Sequence, residues 1–238
     1  MRNPARDPNM KTYVIASTKH WNVEAFSRRR SKLPGRWLIV TDDQDLTPEF
    51  IRAISPRYIF FMHWSSIVPP EISALVECVC FHMTDVPYGR GGSPLQNLIL
   101  RGHKDTKLTA LRMSNELDAG PVYRKLPLSL EGSAFDIFVR CAELGLDLIQ
   151  WMVREEPQPE PQVGEPMVFR RREPAQSAMP EAEKLERIYD HIRMLDAESY
   201  PRAFLDHGML RYTFSQARLV EDAIDARVRI TFRNALSS

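Results

Sequence analysis

Tyr58-Ile59-Phe60-Phe61-Met62 is a run of five residues without a charged side chain. A strand with one face in water alternates apolar and polar positions, so an unbroken run of this kind fits a strand buried on both faces, as in a parallel sheet covered by helices. The flanks repeat the theme. Thr12 to Ala16, Trp37 to Val40 and Cys78 to Phe81 read as further strands, and Val23 to Arg30, Pro48 to Ala53 and Glu71 to Leu75 as the helices between them. This βαβαβαβ order predicts an α/β fold with an open, mostly parallel sheet, in which ligands bind beyond the carboxyl ends of the strands.

Downstream, Pro94 to Arg101 reads as a helix with proline in its first turn and Gly102 at its end. Leu108 to Arg112 and Val122 to Leu128 read as two more strands. Phe138, Cys141, Leu144, Leu148, Ile149 and Met152 make a helical stripe within Phe135 to Val153. Pro157, Pro159, Pro161 and Pro166 then break regularity, so the stretch to Pro180 reads as a linker or an extended crossing. Beyond it, Glu181 to Leu195 reads as a helix, and Leu210 to Phe214 with Arg227 to Phe232 as a short pair of strands. The expected organisation is a large α/β domain over 11–165, a linker over 166–180 and a small C-terminal α+β segment over 181–238.

At 238 residues, 43% hydrophobic and 26% charged, the chain has the make-up of a globular protein of one large domain with a small appendage. Its formal net charge of +1 argues against a general nucleic-acid binder. No apolar run reaches the roughly 20 residues that cross a bilayer, and the first ten residues are unlike a signal peptide, so we expect no membrane partner and a cytoplasmic location. Three cysteines make a disulfide framework a poor expectation, and six histidines without zinc-type spacing give no metal site. Ser17-Thr18-Lys19-His20 stands after the first strand where a dinucleotide site would carry glycines.

The densest chemistry lies in Cys80-Phe81-His82-Met83-Thr84-Asp85-Val86-Pro87-Tyr88-Gly89-Arg90-Gly91-Gly92-Ser93-Pro94. A histidine closes a buried strand there, a Gly- and Pro-rich loop follows, and a helix starts at Pro94. An imidazole at a strand end can meet a substrate, or it can be a hydrogen-bonded core residue. Further on stand Gly102, Thr109, Met113 and then Leu117-Asp118-Ala119-Gly120-Pro121. In order and spacing, His82, Pro87, Arg90, Gly91, Ser93, Pro94 and these residues resemble the N10-formyltetrahydrofolate-dependent formyltransferase family. The likeness runs from about Lys11 to Glu165 and resumes at Phe169 to Arg172 and Ile188 to Phe204.

The resemblance implies a Rossmann-like formyltransferase fold, N10-formyltetrahydrofolate as formyl donor, and catalytic roles for His82, Asp118 and position 80. Formyl transfer to an amine develops negative charge on an oxygen, for which a protonated His82 is the expected donor, while Asp118 orients the ring and accepts the amine's proton. Where the family has asparagine, this chain has Cys80, a weaker hydrogen-bond donor. Either Cys80 is a small stand-in, with His63, Asn97 or water as the second donor, or it is a nucleophile, or catalysis is altered. The pterin is expected against Met62, His63, Ser65, Ile67 and Val68, opposite Asn115 and Leu117. Trp64 in the same loop is equally open to stacking and to packing.

Arg90, Gly91, Ser93, Tyr200 and Arg202 are the expected substrate contacts. The preferred acceptor is a nucleotide-linked amino sugar, because the branch of the family acting on such sugars pairs this catalytic domain with a short C-terminal segment; for the sugar itself, Phe81-His82-Met83-Thr84-Asp85 resembles enzymes that formylate a UDP-linked 4-amino-4,6-dideoxy sugar in pseudaminic-acid-type pathways. Methionyl-tRNA formyltransferase is an alternative set aside because under 60 residues follow Pro180, without a basic stripe. Glycinamide-ribotide formyltransferase and an inactive folate-binding homologue are the others. A homodimer through the C-terminal segment is expected, because so small a unit can hardly bury its own apolar face.

Overall fold

The computed structural model describes residues 10–198 and 200–233. In chain order the elements are β1 (Thr12–Ala16), α1 (His20–Arg29), β2 (Arg36–Val40), α2 (Pro48–Ile54), β3 (Tyr58–Phe61), α3 (Pro70–Leu75), β4 (Glu77–His82), β5 (Tyr88–Gly91), α4 (Pro94–Leu100), β6 (Asp105–Arg112), β7 (Val122–Ser129), α5 (Ala134–Glu155), β8 (Met167–Phe169), α6 (Leu185–Arg193), β9 (Phe204–His207), β10 (Leu210–Val220) and β11 (Ala223–Phe232). The central sheet has the order β2-β1-β3-β4-β6-β7. Strands β2, β1, β3 and β4 run parallel, and β6 pairs antiparallel to β4.

Both faces of this sheet are buried, as the Tyr58–Phe61 run requires, and they differ in kind. On one face Trp37, Tyr13, Phe60 and Phe81 stack from strand to strand, with ring centroids 4.8 Å apart for Tyr13–Trp37 and 6.3 Å for Phe60–Phe81. The other is mostly aliphatic, with Val14, Ala16, Val40, Ile59 and Cys78, beside the aromatic Phe61, packed under Ile51 and Ile72 of α2 and α3. Strand alternation puts Cys80 and His82 on this second face.

The packing divides the chain into two compact units that do not follow sequence order. The first comprises residues up to Arg90, Lys107–Pro127 and Val139–Met167. The second comprises Gly91–Thr106, Leu128–Phe138 and the chain from Val168 onward. In the second unit β9, β10 and β11 form an antiparallel sheet, and Arg193 is buried with its guanidinium donating to Leu130 O (2.6 Å) and Gly132 O (3.0 Å). Hydrogen bonds of this kind make a buried cation tolerable.

Several local features differ from the sequence expectation, among them a strand at Met167–Phe169 within the expected linker, paired with β5. Tyr88–Gly91 is a strand, hidden by two glycines, and Phe204–His207 is a strand although a charged and a polar residue close it. The last helix starts at Leu185 rather than Glu181. β10 and β11 are roughly twice as long as their apolar patterns, because arginines interrupt them and a register shift falls between Ser215 and Arg218.

Candidate active site

His82 ends β4 opposite Thr109 of β6, and it is buried. Its Nε2 lies 2.8 Å from the carbonyl oxygen of Gly89. A carbonyl can only accept, so Nε2 carries the proton, and Nδ1 is the nitrogen left for chemistry. Thr84 Oγ1 donates to the same Gly89 oxygen (3.2 Å), and Thr109 Oγ1 donates to Thr84 O (2.7 Å). Thr84 and Thr109 are fully buried, so the loop from β4 to β5 is pinned from beneath and the imidazole plane with it.

His82 Nδ1 lies 3.5 Å from Asp118 Oδ2, beyond a direct hydrogen bond but close enough for charge to act. The placement of Asp118 is not a simple consequence of the sheet. Antiparallel pairing sets Arg112, the last residue of β6, beside Val79, three residues before His82 on β4. The chain must therefore fold back by roughly 10 Å, at about 3.3 Å per strand residue, to bring Asp118 to the imidazole. Asp118 has φ 53°, a left-handed conformation that aspartate tolerates better than most residues. Two residues on, a Cβ on Gly120 would lie 1.7 Å from Arg112 O, so only glycine fits this return.

Gln162 completes the arrangement, and nothing in the sequence pattern singles it out. Its Nε2 donates to Asp118 O and Gly120 O, each at 2.8 Å, and its Oε1 accepts from Arg90 Nε (3.0 Å) and Nη2 (2.9 Å). Arg90, expected at the substrate, points its guanidinium at Gln162 and, at 3.5 Å, at Glu116. Cys80 lies below His82 on the same face. Burial, and secondarily the charge of Asp118, pushes its thiol far above the usual thiol range, which leaves it protonated.

The loop after β3 presents mixed chemistry. Burial holds the His63 imidazole near pKa 4, with Lys19 adding to the effect, so this ring is neutral. Met62 is core, its carbonyl accepting from Asn22 Nδ2 at 3.0 Å. Ser65 and Asn115 are exposed, Val68 packs on the aliphatic core, and Ile67 (93%) and Leu117 (70%) show their apolar side chains to solvent. Trp64 stacks edge-on against Phe61, and its indole Nε1 is buried without a hydrogen-bond partner. It borders a cavity of about 380 Å³ lined by Asp43, Gln44, Leu46, Ile67 and Pro69.

The remaining expected contacts lie in the second unit. A Cβ on Gly91 (φ 99°) would meet Phe169 O at 2.5 Å. Ser93 Oγ and Tyr200 OH share a hydrogen bond of 2.6 Å, and Arg172 N donates to Ser93 Oγ at 3.0 Å. Asn97 Nδ2 is committed to the carbonyls of Gly92, Ser93 and Arg170. Arg202 pairs with Asp196. Among the described residues no group of three metal-type ligands occurs, and no helix is long and apolar enough to cross a membrane.

The chain is similar to known proteins to different extents. Residues 174–231 match the family model of the methionyl-tRNA formyltransferase C-terminal domain. A structure of methionyl-tRNA formyltransferase from Clostridium thermocellum is 43% identical, with a TM-score of 0.91, over 94% of this chain and 100% of that one. The methionyl-tRNA formyltransferase of Campylobacter lari is 26% identical over 58% of this chain and 42% of its own length. Against further curated relatives the chain spans about a third of their length. A sugar N-formyltransferase of a Shewanella species shares the fold at 14% identity and a TM-score of 0.65, over 89% of this chain and 99% of that one. The brevity of the C-terminal segment therefore does not set it apart from methionyl-tRNA formyltransferase, since that segment is what matches the domain of that name.

Proposed function

The chain belongs to the formyltransferase family, and from that premise we propose that it transfers a formyl group from N10-formyltetrahydrofolate to an amine. The observation that carries the reading is the pairing of His82 Nδ1 with Asp118 Oδ2 at 3.5 Å, while Nε2 is anchored on a carbonyl that can only accept. Asp118 and Nδ1 together hold the proton that the attacking amine loses. The proton, once on Nδ1, faces the reacting centre and can be donated to the oxygen that gains charge. The donor supplies the formyl carbon. A flat, hydrogen-bonding heterocycle fits the residues present, because Ile67 and Leu117 offer exposed apolar walls and Trp64 Nε1 is a buried donor still to be satisfied.

For the acceptor we read methionyl-tRNA first, supported by the 43% identity to a protein of that name along its whole length. One observation favours a nucleotide-linked amino sugar as the second reading. Between 174 and 231 eight Lys and Arg stand against ten Asp and Glu, and Asp42, Asp43 and Asp45 crowd the loop after β2, so the sequence offers a phosphate backbone no net excess of cations there. Tetrahydrofolate release, followed with methionyl-tRNA and with a panel of nucleotide-linked amino sugars, separates the two. Release with neither would refute formyl transfer to these acceptors. A homodimer is the assembly we propose, supported by Val228, Ile230 and Phe232, which alternate along the edge strand β11 with 44%, 56% and 77% exposure. Sedimentation of the wild type against Ile230→Lys tests it.

A further inference from the structure

We propose that Gln162 is a positioning residue that sets the approach of Asp118 to His82, and that Arg90 serves the same purpose through Gln162. The proposal rests on the formyl-transfer reading for its kinetic consequence but not for its structural one. Gln162 spans a fixed geometry with both ends of its amide. One NH2 bridges the carbonyls of Asp118 and Gly120, which flank the catalytic loop's tightest point, and one oxygen takes two parallel bonds from Arg90. No other side-chain type offers two donors and a strong acceptor in one plane at this length.

The backbone beneath Gln162 is itself held. Glu160 N and O exchange hydrogen bonds with Val122 O and N at 2.8 and 2.7 Å, which fixes the segment against the start of β7 two residues before Gln162. Pro157, Pro159, Pro161 and Pro166 restrict the chain around it. A stretch that reads as a linker thus acts as a stiff strap across the loop that carries Asp118. Within the loop Ala119 N donates to Glu116 O at 3.3 Å and Ser114 Oγ to the same oxygen at 2.9 Å, and Gln162 ties down two further carbonyls, those of Asp118 and Gly120. A misplacement of about 1 Å in a catalytic group can cost on the order of a hundredfold in rate.

Three measurements test this on the full chain. Gln162→Leu should lower kcat by about ten- to a hundredfold, a larger change than any rise in the donor KM that follows from loosening Leu117 in the same loop. Gln162→Glu keeps the Arg90 contacts and loses both donors, so it should show the same loss, and it serves if the leucine variant does not fold. In an Asp118→Asn background Gln162→Leu should change kcat by less than about threefold, since a residue acting through Asp118 has nothing left to position. An equal loss in both backgrounds, or an active Gln162→Glu enzyme, would overturn the proposal. Independently of turnover, amide hydrogen exchange over 116–120 should speed up about tenfold in Gln162→Leu, and unchanged protection would also overturn it. A wild-type enzyme inactive with every acceptor would sink the formyl-transfer reading and leave the exchange measurement to decide the clamp.

Discussion

The carbonyl oxygen of Gly89 receives two donors from β4 and its extension, Nε2 of His82 at 2.8 Å and Oγ1 of Thr84 at 3.2 Å. The first of these fixes the tautomer of His82. Neutral His82 carries its proton on Nε2 and its lone pair on Nδ1, facing Asp118. Nitrogen-15 spectra of the imidazole at high pH should show the Nε2–H form, and an Nδ1–H form there would place the reactive nitrogen on the wrong side of the ring for the proposed chemistry.

Both members of the pair should matter for turnover more than for folding. His82→Ala and Asp118→Asn should each lower kcat on the order of a hundredfold or more. Asparagine retains the left-handed backbone at position 118, so Asp118→Asn should keep its thermal transition within a few degrees. His82→Ala removes one hydrogen bond to Gly89, worth about 1 kcal/mol, and Thr84 still occupies that carbonyl. Turnover near the wild-type rate in either variant would remove that residue from the mechanism.

Cys80 should behave as a small, half-buried group and not as a nucleophile. Burial and the neighbouring Asp118 charge both disfavour its thiolate, so alkylation of native protein at pH 8 should be far slower than of unfolded protein. Cys80→Ser should retain activity within about tenfold, a hydroxyl replacing a thiol of similar size. A formyl thioester seen by intact mass in a quenched reaction would reverse this assignment.

How much of this was legible in the sequence depended on the range of the interaction. The Tyr58–Phe61 run and its neighbours reported the sheet because burial on both faces acts residue by residue, and β1 coincides with Thr12 to Ala16 as read. His82 and Asp118 were reached through the order of motifs, and the structure brings them within 3.5 Å. Gln162 escaped because a glutamine among prolines carries no periodic signal, and its partners lie 42 and more residues away in sequence. Arg90 was found as a charged loop residue, but its sequence neighbourhood does not say that Gln162 and Glu116 occupy its guanidinium.

Gly120→Ala should disable the loop without touching a catalytic group. The added methyl would sit 1.7 Å from Arg112 O, and that oxygen cannot retreat freely because Arg112 N is bonded to Pro121 O at 2.9 Å. The return of the chain toward Asp118 must open, so kcat should fall at least as far as in Gln162→Leu, with a lowered thermal transition from the strain. An alanine enzyme of wild-type rate and stability would mean that the loop has another way to deliver Asp118.

Acid stability should report His63. Its folded-state pKa near 4 lies below the ordinary 6.5, because the imidazole is desolvated in the loop after β3, with Lys19 adding to the effect. As pH falls through 6.5 the unfolded chain takes up a proton that the folded protein refuses until about pH 4, so stability drops across this window and is intact above it. The ceiling for a shift of this size is about 3 kcal/mol. His191, buried against Ser177 O at 3.3 Å, is displaced in the same direction and adds to the slope. The carboxylates with lowered values, Asp43, Glu156 and Asp206, lose their contribution from the acid end of this window downward, as pH falls below their ordinary values of 3.8 to 4.5. His63→Asn suits the left-handed φ of 50° and cannot titrate, so its thermal transition should fall less than that of the wild type between pH 6.5 and 4.5. Parallel curves for the two proteins over that range would show that His63 protonates freely in the fold, and would take the neutral imidazole out of the description of this loop.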